Sequence, residues 1–162
     1  MTDRRAQLGM ALFLIAEAVF FFLLILAFLY LRGPAPRDLH LPITSLYTAL
    51  LLASAFTMWR AATSAAGSRL WVGITIGLGA AFLLGQGSEY LRLIRDGVTI
   101  SQGLFGTTFF TLAGVHGLHV LVGLIALGII PSTAIRTMAL YWYFFAGLWF
   151  VIFLVAYVGS MA

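Results

Sequence analysis

The sequence predicts an all-α fold: a polytopic membrane protein built as a five-transmembrane-helix bundle. Three observations carry this. Of 162 residues, 62% are hydrophobic and only 9% charged, with a mean hydropathy of +1.07, far outside soluble usage. The apolar residues gather into five runs, about 8–31, 42–62, 70–91, 104–130 and 139–160, each near the roughly 20 residues that cross a ~30 Å hydrocarbon core as helix. Only helices or closed barrels satisfy the backbone in lipid, and these runs lack the alternation of barrel strands.

The first run follows a short polar stretch, 1–8. It is too long for the apolar part of a signal peptide and has no small-residue cleavage site at a sensible distance, so it is expected to remain as an anchor. Residues 32–38, with Pro34 and Pro36, read as a turn-rich loop. The second run closes at 60–69, where Arg60, Ser64, Gly67, Ser68 and Arg69 mark a connection. The third leads into the longest polar stretch, 92–102, with Arg92, Arg95, Asp96 and Gly97. Pro131 ends the fourth run and 131–137 separate it from the fifth. The fifth opens on Tyr141, Trp142, Tyr143, Phe144, Phe145 and Trp149, expected there as an interfacial aromatic belt. Together the runs make one membrane domain over 1–162, with no room for an extramembrane catalytic domain.

Arginine is the only basic residue type, and its distribution orients the bundle. With the N-terminus inside, Arg4, Arg5, Arg60, Arg69 and Arg136 fall inside, against Arg32, Arg37, Arg92 and Arg95 outside. The expected orientation is N-in/C-out. The net charge of +4 is spread over loops and does not point to nucleic acid. There is no cysteine, which excludes disulfides, thiolate ligands and cysteine nucleophiles. No hydrolase elbow or phosphate loop is present. No internal repeat is visible, and an odd helix number argues against two matched transporter halves. Intramembrane glycines, among them Gly73, Gly77, Gly79, Gly85, Gly87, Gly114 and Gly117, are expected to allow close helix approach, within the chain or against a partner.

Polar residues inside the spans are the candidate site. Glu17 sits deep in the first run, where an ionised carboxylate is costly. Two readings stay open: a proton-relay or lipid-contacting acid, or a carboxyl hydrogen-bonded to a neighbouring helix, with histidine as one partner. Gln86, Glu89 and Tyr90 share one face of the third helix and form a second acidic site, read as an interfacial polar cluster. On the fourth helix Thr108, Thr111 and His119 form a stripe with His116 at its edge, a polar seam. Imidazole is a common metal ligand. Two histidines three apart on one helix cannot fill both axial positions of one haem, however, and the third, His40, lies in a loop. The histidines are therefore expected to hydrogen-bond within the bundle, with no metal in this chain.

Several segments resemble subunit III of the haem–copper respiratory oxidases. Leu8-Gly-Met-Ala-Leu-Phe-Leu-Ile-Ala-Glu17-Ala-Val-Phe-Phe-Phe is similar to the family's glutamate-bearing helix, with Glu17 on its intramembrane glutamate. Thr44 to Thr57, with Leu50-Leu-Leu-Ala-Ser54, resembles the next helix. Gln86-Gly-Ser-Glu89-Tyr90, Thr99-Ile-Ser-Gln-Gly-Leu-Phe-Gly-Thr-Thr-Phe-Phe and His116-Gly-Leu-His119 are the most specific stretch. Tyr141-Trp142-Tyr143-Phe144 resembles the last helix. There the family's Tyr-Trp-His-Phe-x-Asp pattern meets Tyr143 and Ala146 in place of its His and Asp. The resemblance covers nearly the whole chain and corresponds to the last five of seven helices in long members.

The resemblance implies an accessory, non-redox subunit of a proton-translocating terminal oxidase in the bacterial cytoplasmic (inner) membrane. It would pack against oxidase subunit I and other oxidase subunits, chiefly through its first two helices around Ala53 and Ser54. It would hold phospholipids and support proton uptake and sustained turnover, with haem and copper in the partner subunits. The alternatives are an accessory subunit of a nitric oxide reductase of the same superfamily, and a small proton or solute transporter built around Glu17 and Glu89.

Overall fold

The computed structural model describes residues 2–31, 41–64, 68–97 and 103–159. They form α1 (Thr2–Leu31), α2 (Leu41–Thr63), α3 (Ser68–Arg95), α4 (Leu104–Ile129) and α5 (Ile135–Phe153), the last running on as a π-helical turn, Leu154–Val158. A 3-10 turn, Ser132–Ala134, precedes α5. No strand occurs among the described residues. The loop at 32–38 and His40 lie outside the described residues.

All five α-helices are long and apolar enough to cross a membrane. They begin or end a few residues from the apolar runs because polar residues continue the backbone hydrogen bonding. α1 takes in Arg4 and Arg5, and α3 takes in Arg92 and Arg95. Proline ends α4: Ile130 N–H still bonds Ala126 O at 3.0 Å, and Pro131 cannot continue the ladder.

Side-chain contacts fix an alternating up–down order. Thr57 meets Thr75, and Tyr47 lies against Gly85, so α2 and α3 are antiparallel. Phe82 meets His116 and Tyr90 meets Phe109, so α3 and α4 are antiparallel too. α5 packs on α1, α2 and α4, while α1 packs chiefly on α4 and α5. α1 is the least enclosed: 11% of its apolar window is buried, against 50% for α5. Its exposed Leu, Val and Phe side chains are what a hydrocarbon solvent accepts.

The fifth helix corrects one expectation. Tyr141, Trp142, Phe145 and Trp149 point into the bundle as core residues and do not form an outward belt. They recur with Met138 and Ile152 at spacings of three and four, which places them on one helix face, and Tyr157 follows five residues on through the π-helical turn. That face carries the largest rings of the core, and small residues opposite them make room. A Cβ at Gly79 would stand 2.8 Å from the Trp142 ring, and one at Gly123 would stand 2.9 Å from the Tyr141 ring. Gly73, Gly77, Gly87 and Gly114 have open space where a Cβ would go.

Candidate functional site

Two of the residues singled out in the sequence meet between α1 and α4. Glu17 Oε2 lies 3.3 Å from His119 Nε2, a charge-pair distance without the alignment of a full hydrogen bond. The other ring nitrogen, Nδ1, lies 2.8 Å from Val115 O on the same helix. A carbonyl only accepts, so Nδ1 carries the hydrogen. Nε2 is then the nitrogen that faces the Glu17 carboxyl. The Tyr141 hydroxyl donates to His119 O at 2.8 Å, which ties α5 to the same turn. Phe145 stacks on the His119 ring at 4.6 Å, and Phe21 meets it edge-on at 5.4 Å. Glu17 and His119 keep 18% and 20% of their side chains exposed, on the outer seam of the bundle.

His116, three residues earlier, is fully buried. Its Nε2 donates to Phe145 O at 2.9 Å across the α4–α5 interface. The ring sits 4.9 Å from Trp149 and among Phe21, Phe82 and Phe145. Its Nδ1 is buried without a hydrogen-bond partner among the described residues. Thr108 and Thr111 share the helix but not the network. Thr108 bonds back to Leu104 O, and Thr111 to Thr107 O, each at 2.7 Å. Such back-bonds satisfy a hydroxyl locally.

The second acidic site lies within the bundle at the end of α3. Gln86 and Glu89 are buried. Arg92, one turn on, holds the Glu89 carboxylate with both Nε (3.0 Å, to Oε2) and Nη2 (to Oε1), and its Nη1 stands 3.6 Å from Asp96. This forked, charge-assisted geometry is the strong form of the pair. Gln86 Nε2 donates to the Tyr157 hydroxyl at 3.1 Å, which also bonds Thr44. The expected interfacial cluster is thus enclosed by protein, reaching the outside mainly through the Arg92 guanidinium. Among the described residues, no three or more histidine, aspartate and glutamate side chains converge.

Sequence reading missed the buried hydroxyls of α2. Thr44, Thr48, Ser54 and Thr57 are all buried. Trp149 Nε1 donates to Thr48 Oγ1 at 3.0 Å, Trp142 Nε1 to Ser54 Oγ at 2.9 Å, and Thr57 meets Thr75 at 2.8 Å. At 100° per residue Thr48 and Thr57 lie on opposite sides of the helix, and the hydroxyls accordingly serve two neighbours, Thr48 and Ser54 turning to α5 and Thr57 to α3. Ser54 accordingly faces inward, while Ala53 beside it is exposed.

No protein-family model matches the chain. Individual relatives do. A probable cytochrome c oxidase subunit 3 of Nocardia farcinica is 32% identical over 93% of this chain and 86% of its own length. The cytochrome c oxidase subunit 3 of Thermostichus vulcanus is 31% identical over the same shares, 93% and 86%. The cytochrome bo(3) ubiquinol oxidase subunit 3 of Pseudomonas aeruginosa is 34% identical over 77% of this chain and 68% of its own. With identity at this level along almost the whole bundle, the chain belongs to the subunit III family of haem–copper respiratory oxidases.

Proposed function

We propose that this chain is an accessory, non-redox subunit of a haem–copper terminal oxidase, packing against the large catalytic subunit I and other oxidase subunits in a bacterial cytoplasmic membrane. The observation that carries the reading is the kinship with oxidase subunits over 93% of the chain. In this role the bundle holds phospholipids and supports proton uptake and sustained turnover by its partner. The N-terminus lies inside and the C-terminus outside, supported by the end of the bundle that carries Arg4, Arg5, Arg60, Arg69 and Arg136.

Haem and copper belong to the partner subunits in this reading. The histidines described here are a poor fit for either. His119 turns one nitrogen to Val115 O and the other to Glu17, and His116 turns Nε2 to Phe145 O with Nδ1 enclosed. This chain's own residues set the Glu17 carboxyl against His119 and present a carboxylate, Glu89, already paired with Arg92. Its contribution is then mechanical and electrostatic, exerted on a neighbour that performs the redox chemistry.

The test is purification in mild detergent, followed by a visible spectrum and mass spectrometry of the co-purifying chains. The expected result is a haem-bearing complex containing a larger membrane subunit, and a colourless chain once partners are removed. A stoichiometric Soret band or bound copper in the partner-free chain would overturn the reading. So would a monodisperse homo-oligomer that transports a solute in liposomes.

A further inference from the structure

The last turn of α5 is wound more widely than the rest of the bundle. After Phe153 the helix runs on as the π-helical turn Leu154–Val158, closed by Gly159 N–H on Leu154 O at 2.8 Å. Such turns are rare, take in one residue more than an α-turn, and recur at functional sites. Here the extra residue carries Tyr157 to the inward face, where Ile152 and Tyr157 are both fully buried. In a continuous α-helix residues five apart stand ~140° apart around the axis, so Tyr157 would move toward the edge of that face. Held inward, its ring meets Phe109 at 5.5 Å, and its hydroxyl bridges two other helices, accepting from Gln86 Nε2 at 3.1 Å and bonding Thr44. A Cβ at Gly159 would stand 2.9 Å from Val155 O, so glycine is what lets the wide turn close.

Gln86 has a second tyrosine within reach. The Tyr90 hydroxyl, one turn further along α3, is buried beside the same amide without a hydrogen-bond partner among the described residues, and Gln86 Oε1 is buried and unpaired as well. Both atoms stay unpaired while the amide is turned to Tyr157. Buried polar groups without partners are costly. The arrangement therefore sets one bond against another: Gln86 with Tyr157 and a wide turn, or Gln86 with Tyr90 and a regular one.

We propose that the end of α5 is a two-register latch. With Gln86 bonded to Tyr157 the last turn is π-helical and Tyr157 is drawn into the core. With Gln86 bonded to Tyr90 the turn closes as α-helix, Tyr157 swings to the rim, and the residues that follow rotate with it. The latch reshapes one end of the bundle while the five spans stay in place, and it stands independently of the function proposed above.

The full chain, isotope-labelled and held in micelles, reports its register by nuclear magnetic resonance. In the wide turn the Gly159 amide pairs with Leu154, in the regular turn with Val155, and only the wide turn holds the Tyr157 ring against Phe109. The native chain should show the wide pattern, with exchange at 155–159 on the microsecond-to-millisecond scale of helix register shifts. Tyr157→Phe, which keeps the ring, and Gln86→Leu, on a different helix, should both shift the turn to the regular pattern and lose the Phe109 contact. Gly159→Ala, with every bonding side chain intact, should do the same. Tyr90→Phe should keep the wide pattern and abolish the exchange. The Phe82 and His116 rings, 6.2 Å apart, show in each variant whether α3 and α4 remain packed, and the other two carry the test where one variant unfolds. A regular turn in the native chain overturns the proposal. So does a wide turn that survives in any folded variant among Tyr157→Phe, Gln86→Leu and Gly159→Ala, since ring packing then suffices. Exchange that persists unchanged in Tyr90→Phe overturns the second register.

Discussion

The indole of Trp142 donates to the hydroxyl of Ser54 at 2.9 Å, joining α5 to α2 in the interior. Removing either partner has a different consequence. Ser54→Ala strands a buried indole N–H, which costs ~1–3 kcal/mol, whereas Trp142→Phe removes the donor along with ring volume. A double-mutant cycle on unfolding in mixed micelles should give a coupling of ~0.6–1.7 kcal/mol, the range for interhelical hydrogen bonds in membranes. Coupling near zero would mean that the bond adds nothing to the α2–α5 contact.

Gly85 is a steric requirement. A Cβ there would stand 2.4 Å from the ring of Tyr47. Gly85→Ala should therefore destabilise the α2–α3 pair by ~1–3 kcal/mol, as overpacking does. Trimming the ring with Tyr47→Leu should restore much of the loss. Unchanged thermal stability in Gly85→Ala would show that the ring moves aside freely.

Arg92 neutralises a buried carboxylate. Arg92→Ala should cost ~2 kcal/mol, less than the ~3–5 of a fully buried pair, because the guanidinium is 28% exposed. Adding Glu89→Gln should recover part of that stability by removing the stranded charge. A further loss in the double variant would mean that Glu89 has another essential partner.

Glu17 and His119 should behave as one unit. Glu17→Gln keeps a hydrogen-bonding group opposite Nε2, and Glu17→Ala leaves that nitrogen unpaired, so alanine should be the more destabilising. Neither should lower the haem content of an assembled oxidase, while proton uptake or sustained turnover changes. Loss of haem from a fully assembled complex carrying Glu17→Gln would contradict the accessory role.

Ala53 lies exposed on α2 beside the inward Ser54. Ala53→Trp should insert into membranes normally yet co-purify with less of the large subunit. Full retention of the partner would move the interface elsewhere.

The five spans were legible because lipid imposes a simple rule of length and polarity on each. The acid–histidine meeting was half legible. Glu17 and His119 were each conspicuous as polar groups in apolar runs, but their pairing depends on how α1 lies on α4. The inward aromatic face of α5 was misread as a belt because position along a span was weighed above spacing around the helix. Thr48 was overlooked, and Ser54 was set on a partner-facing surface, because a hydroxyl can always bond its own backbone. Only the facing indoles reveal them as interhelical acceptors.

The packing of α1 also sets an order of assembly. Glu17 waits for His119, about 100 residues further along the chain, and at ~5–20 residues per second of synthesis that interval is on the order of 5–20 s. During it, α2 and α3 can pair with each other, while α1 has neither of its main neighbours. The first helix made is thus among the last to be secured, and its carboxyl spends that time in or beside lipid without its histidine.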